Sequence, residues 1–180
     1  MKTYIALFRG INIGGHHLLP MKNLVAMLQD MGFRQVKAYG QSGNVVFQGG
    51  SETAASISKR IGGRIDAEYG FEPYVLILDA KALGKSISGN PYPEAESDPK
   101  SLHVYFLASA PKNPDLEKLK AVSRKSEEFC LSGKLFYLHA PEGAGRSKLA
   151  ASVEGALGVT LTARNWRTVC KIMEMAKEAG

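Results

Sequence analysis

Cysteine, tryptophan and long apolar runs are all scarce in this chain. Its two cysteines, Cys130 and Cys170, lie far apart and outside any Cys-x-x-Cys context. That argues against a disulfide framework or a zinc site and reads as two reduced core thiols. No stretch approaches the roughly 18 consecutive apolar residues that a membrane span requires. The opening MKTYIALFRG runs directly into a strand pattern without a signal-peptide cleavage site, so a cytoplasmic protein with no membrane association is expected. Acidic residues are missing locally, since no Asp or Glu occurs between Met1 and Gln29.

Catalytic fingerprints are missing as well. The Gly-rich stretch RGINIGGHH, Arg9 to His17, lacks the Gly-Lys-Ser/Thr ending of a P-loop and the GxGxxG of a dinucleotide site. Ser42 follows Gln41 without a G-x-S-x-G elbow, and no Ser, His and acid set can be given roles. Whether the chain is an enzyme is left open, and no cofactor is expected. His16 and His17 are adjacent, cannot share one helix face, and have no Cys or carboxylate at metal-ligand spacing, so no metal site is expected. His103 and His139 fall in strand patterns and read as structural histidines.

What is present specifies a folded core. Hydrophobic residues make up 44% of 180 residues, and the net charge of +6 favours anionic partners. Thr3 to Phe8 reads as a strand and Met21 to Met31 as a helix striped by Leu24, Val25 and Leu28. Gly32-Phe33 gives that helix a Schellman stop. Val36–Tyr39 and Val45–Phe47 form a hairpin, Ile57, Ile61 and Ile65 mark a helix, and Pro73 to Leu78 is a strand. Residues 1–85 are therefore a βαββαβ half, residues 86–100 a linker, and residues 101–180 a second half with an extra C-terminal helix. In the second half Leu102–Leu107 is a strand, Asn113 caps a helix that starts at Pro114, and Phe129–Leu131 with Leu135–Leu138 form a hairpin. Two helices follow, striped by Leu149, Val153 and Leu157 and by Trp166, Val169, Cys170, Met173 and Ala176. The fold class is α+β, two ferredoxin-like (split βαβ) halves with sheets largely covered on both faces. Covered faces would bury Tyr4, Phe8 and Phe47 and deny an RNA-stacking platform.

Helix starts point to a site. The starts near Ser51-Glu52 and Asn113-Pro114-Asp115 carry capping or acidic residues, as the helix dipole favours. Lys22 after Pro20, Arg146 and Lys148 around Ser147, and Arg164 and Arg167 around Asn165 and Trp166 do the opposite. Cations at a positive helix end are unfavourable unless an anion sits between them. Arg9 follows Ile5 and Leu7 on one strand face, which places its guanidinium near the core and in need of a partner.

These features predict a site for a small phosphorylated or nucleotide-like anion between the Gly-rich loop and the last helix. Arg9 and Arg164 would clamp it, Gly14 and Gly15 would offer amides, and Asn12, Tyr39, Ser42, Asn44, Asn165 and Thr168 would orient it. Two alternatives stay open: a nucleic-acid-associated binding protein that uses scattered Lys and Arg, and a protein interaction module with no small ligand. The oligomeric state is not legible.

Several motifs recur together. LFRGINIGG, Pro20-Met21 with Leu24, Gly32-Phe33, Tyr39, SGNVVF, SKL and TARNW-x-TV resemble the uncharacterised bacterial family called domain of unknown function 1697, over nearly the whole chain. The resemblance implies two ferredoxin-like halves and brings no activity, substrate or catalytic residue. His16-His17 stand where the family loop is expected to carry Lys or Asn, which argues against a fixed phosphate-binding lysine there.

Overall fold

The computed structural model describes residues 1–180. Its strands are β1 (Lys2–Arg9), β2 (Arg34–Tyr39), β3 (Asn44–Gly49), β4 (Tyr74–Asp79), β5 (Leu102–Leu107), β6 (Glu128–Ser132), β7 (Leu135–His139) and β8 (Leu161–Asn165). The helices are α1 (Met21–Asp30), α2 (Ala54–Tyr69), α3 (Ala80–Ser88), α4 (Leu116–Val122), α5 (Lys148–Leu157) and α6 (Trp166–Ala179). The strands form two four-stranded antiparallel sheets, ordered β2-β3-β1-β4 and β6-β7-β5-β8. The fold is α+β, consistent with two split βαβ halves.

The chain divides into two compact units, Met1–Lys85 with Lys171–Gly180, and Ser86–Cys170. The divisions fall inside α3 and α6. In the first unit Gln48 donates a side-chain hydrogen bond to the Ala179 carbonyl, and Lys37 pairs with Glu178 at 3.5 Å. Residues 86–100 hold the end of α3 and a 3-10 helix over Pro93–Ser97.

Alternation along β1 builds the first core. Tyr4, Ala6 and Phe8 pack with Phe47, Val45, Val75 and Ile77 beneath Leu24, Met27 and Leu28 of α1 and Ile57, Ile61 and Ile65 of α2. On the opposite face Ile5, Leu7 and Val46 are buried as well. Tyr4, Phe8 and Phe47 are thus buried, as the two-sided apolar pattern predicts, and cannot stack on bases. In the second unit Tyr105, Leu107, Phe136 and Leu138 pack under Leu119 of α4 and Leu149, Val153 and Leu157 of α5.

Helix ends show where local rules hold. The Gly32 amide donates to Gln29 and the Phe33 amide to Leu28, which is the hydrogen-bond pair of a Schellman cap with Gly32 at φ 90°. Other ends differ from the sequence reading. Thr53, rather than Ser51 or Glu52, caps α2 by accepting from the Ser56 amide. Asp115 caps α4, which begins at Leu116 rather than Pro114. The stripe predicted for the last helix is rotated: Val169, Ile172 and Met175 are buried while Cys170 and Met173 are half-exposed.

Candidate functional site

Asn12 and His17 fasten the Gly-rich loop with their polar groups. Asn12 sits at φ 55°, and its side-chain amide donates to the Leu19 and Gln41 carbonyls at 2.9 Å each. Its Oδ1 accepts from the Leu19 amide at 2.8 Å, and its own amide donates to the His17 carbonyl at 3.1 Å. One asparagine therefore closes the loop on itself and ties it to the β2–β3 turn. Gly14 and Gly15, at φ 60° and 75°, form the tip of a small hairpin closed by the Ile13–His16 bridge. His17 is pinned by stacking on Phe71 at 4.5 Å, with Nδ1 3.2 Å from the Gly10 carbonyl.

The β2–β3 turn is equally built. The Asn44 side chain, 1% exposed, donates to the Tyr39 carbonyl at 3.0 Å. Gly43 accepts from the Phe8 amide at 2.8 Å, and a Cβ there would lie 2.5 Å from Phe8 Cβ and 2.7 Å from Ile11 Cδ1. Only glycine fits this φ of +81° and this closeness. Ser42 is exposed at the turn, and Tyr39 is half-buried.

Arg9 is exposed, contrary to the expectation that it starts near the core. As the last residue of β1 it pairs with Tyr74 beyond the covered part of the sheet. Burial raises the Tyr74 phenol pKa, and the Arg9 charge draws it back down. The structure thus brings Asn12 of the loop and the β2–β3 turn together within the first unit, with Arg9 at the neighbouring strand end.

The remaining predicted residues lie in the second unit. Arg164 is in β8 rather than at a helix start, 8% exposed, with Nη1 donating to Thr162 Oγ1 at 2.7 Å and to the Ala163 carbonyl at 2.8 Å. Burial pulls its pKa down to about 10, which still leaves it charged at neutral pH. Asn165 caps α6, accepting from the Thr168 amide at 2.9 Å. Ser147 likewise caps α5 through the Ala150 amide, so two of the three cation-bearing helix starts have ordinary side-chain caps. Only α1, which follows Pro20, starts without a side-chain cap or an acid in its first turn.

Sequence reasoning missed the loop's apolar content. Ile13 is 63% and Leu18 61% exposed, and with Met1 they are the large hydrophobic residues that the chain leaves in water. The signal was available: both lie in a Gly-rich connection outside any strand or helix stripe.

The family model described as "Protein of unknown function (DUF1697)" matches residues 1–137. A solved structure, that of the conserved bacterial protein SP0830 from Streptococcus pneumoniae, superposes with a TM-score of 0.72 and 22% identity, covering 97% of this chain and 98% of that one. No curated protein matches the sequence.

Proposed function

The chain belongs to the DUF1697 family of unknown function, and from that premise we propose that it is a protein interaction module whose β1–α1 loop docks an acidic, partly apolar segment of a partner protein. The carrying observation is the exposure of Ile13 and Leu18 on a loop whose backbone is fixed by Asn12. A preordered loop binds without the entropic cost of ordering itself. Arg9 and Lys22 lie on or beside the same loop, and with no acid before Asp30 this stretch favours a negatively charged partner. A display library of linear peptides tests this reading. Selected peptides should share Asp or Glu beside Leu, Ile or Phe, and should lose binding to an Ile13→Ser/Leu18→Ser variant.

A second reading, a small phosphorylated ligand held by Arg9 and the Gly14 and Gly15 amides, is favoured by the exposure of all three residues. Thermal-shift screening of phosphorylated metabolites separates the two. A ligand whose stabilisation vanishes in Arg9→Met, together with a library that yields no acidic-apolar consensus, would establish the second reading over the first.

A further inference from the structure

The second unit contains a cavity of about 610 Å³ lined by Tyr92, Leu116, Lys120, Ser123, Glu127, Glu128, Phe129 and Leu131. Its wall holds a polar group that the fold does not satisfy. Glu127 is 7% exposed, and one of its carboxylate oxygens, Oε2, accepts from the Arg124 amide at 2.9 Å. The other, Oε1, is buried and accepts no hydrogen bond from the protein. Of the two basic residues just before it, Lys125 is exposed and Arg124 is turned elsewhere, because Arg124 donates to the Arg146 carbonyl and pairs with Glu142. A buried carboxylate oxygen without a donor is costly, and folded proteins hold few of them.

The rest of the lining narrows what could serve it. Glu127 and Glu128 bring two negative charges, while Lys120 is engaged by Glu117 at 2.9 Å. Two other cavities differ, one carrying Lys59 and Glu72 and the other Lys112 with no acid. Burial pushes the Tyr92 phenol up to about 12, and Glu128 and Glu94 on the same side add to the rise. Leu116 and Leu131 offer apolar surface, and Phe129, stacked on Phe136 at 5.5 Å, offers a fixed aromatic wall. A donor flanked by carboxylates and aromatic rings is the setting that an organic cation prefers.

We infer that this cavity binds a primary ammonium compound with an aliphatic or aromatic body, its ammonium group donating to Glu127 and its body lying against Phe129, Leu116 and Leu131. The inference is independent of the β1–α1 loop and would stand if that loop had another role.

The experiment is a titration of the full-length, isotope-labelled chain at pH 7 with n-hexylammonium and 2-phenylethylammonium chlorides, followed by amide chemical shifts. Hexan-1-ol and hexanoate are the neutral and anionic controls. Saturable shifts confined to Leu116–Leu131 and Tyr92 are expected with both amines, and affinity for hexan-1-ol should be at least about tenfold lower. Glu127→Gln should weaken amine binding by a similar factor without lowering the melting temperature, while Glu128→Gln, at an exposed position, should change it less than about threefold. The inference is overturned if neither amine gives a saturable shift, if the alcohol binds as tightly as the amine, or if a folded Glu127→Gln chain binds amines like the native one. The amine-against-alcohol comparison uses the native chain and decides the question even if Glu127→Gln fails to fold.

Discussion

The two units share a strand order and a βαββαβ succession, yet they connect first strand to first helix in different ways. In the first unit the connection from Gly10 to Pro20 places Gly10, Asn12, Gly14, Gly15 and His17 at positive φ. In the second, residues 108–115 contain no positive φ and end on Asp115, an ordinary side-chain cap. The hairpins differ too: Gly40–Gly43 in the first unit is a packed turn tied to the loop by Asn12, whereas Gly133-Lys134 is a tight open turn. One architecture closes both ways, so the architecture does not require the elaborate loop. The RGIN-x-GG and SGN motifs build a local projection, and this is why the proposed docking surface is placed there.

The sharpest test of that contrast substitutes glycine in the two hairpins. Gly43→Ala drives a methyl into Phe8 and Ile11 at a left-handed φ, and should destabilise the chain by about 3–5 kcal/mol. Gly133→Ala, at φ +59° with open space around it, should cost only about 1 kcal/mol. Urea denaturation of both variants measures the difference, and equal losses would break the comparison. The next effect concerns the two devices at the helix entries. Asn12→Ala should cost about 2–3 kcal/mol, since it strands the Leu19 amide and leaves a strained φ on a residue that has lost its side-chain hydrogen bonds. Asp115→Ala, which removes one cap, should cost about 1 kcal/mol in the same assay.

Acid sensitivity probes the second unit through His103. Burial lowers the His103 pKa, and its Nδ1 is buried without a hydrogen-bond partner. The unfolded chain then takes up a proton at a higher pH than the folded one. Stability is full above about pH 6.5 and falls as the pH drops toward the lowered folded value. His103→Gln should flatten the pH dependence of the melting temperature in that window. The smallest stability effect is expected at the two residues proposed to dock a partner. Ile13→Ser and Leu18→Ser should move stability by less than about 0.5 kcal/mol, because both side chains are already in water.

Much of the fold was legible because strong periodicity and glycine stops coincide. The 4-residue spacing of Ile57, Ile61 and Ile65 and the Gly32-Phe33 cap left little freedom, and all three isoleucines are fully buried. Strand β8 was not legible: Leu161-Thr-Ala-Arg-Asn165 buries Thr162 and Arg164, so its alternation is hidden behind polar side chains. Helix α3 was missed because it follows β4 without a loop, its first turn capped by Asp79 through the Ala82 amide. At the site the motifs stood out, but their role did not. A sequence shows that Asn12 is polar; it does not show that its amide is already bonded to Leu19 and Gln41. Glu127 was invisible for a related reason, since a buried acid in KSEEF looks like its exposed neighbour Glu128.

The central claim is that the β1–α1 loop is a docking surface, and the most direct measurement is the affinity of one acidic-apolar peptide, selected on the native chain, for three proteins. For the native chain, Ile13→Ser/Leu18→Ser and Arg9→Gln, fluorescence anisotropy at low and physiological salt gives the dissociation constants. Binding to the double variant should be at least about tenfold weaker at both salt concentrations. Arg9→Gln should weaken binding by a factor that shrinks as salt rises. Undiminished binding of the peptide to a folded Ile13→Ser/Leu18→Ser chain would mean that the β1–α1 loop is not the docking surface.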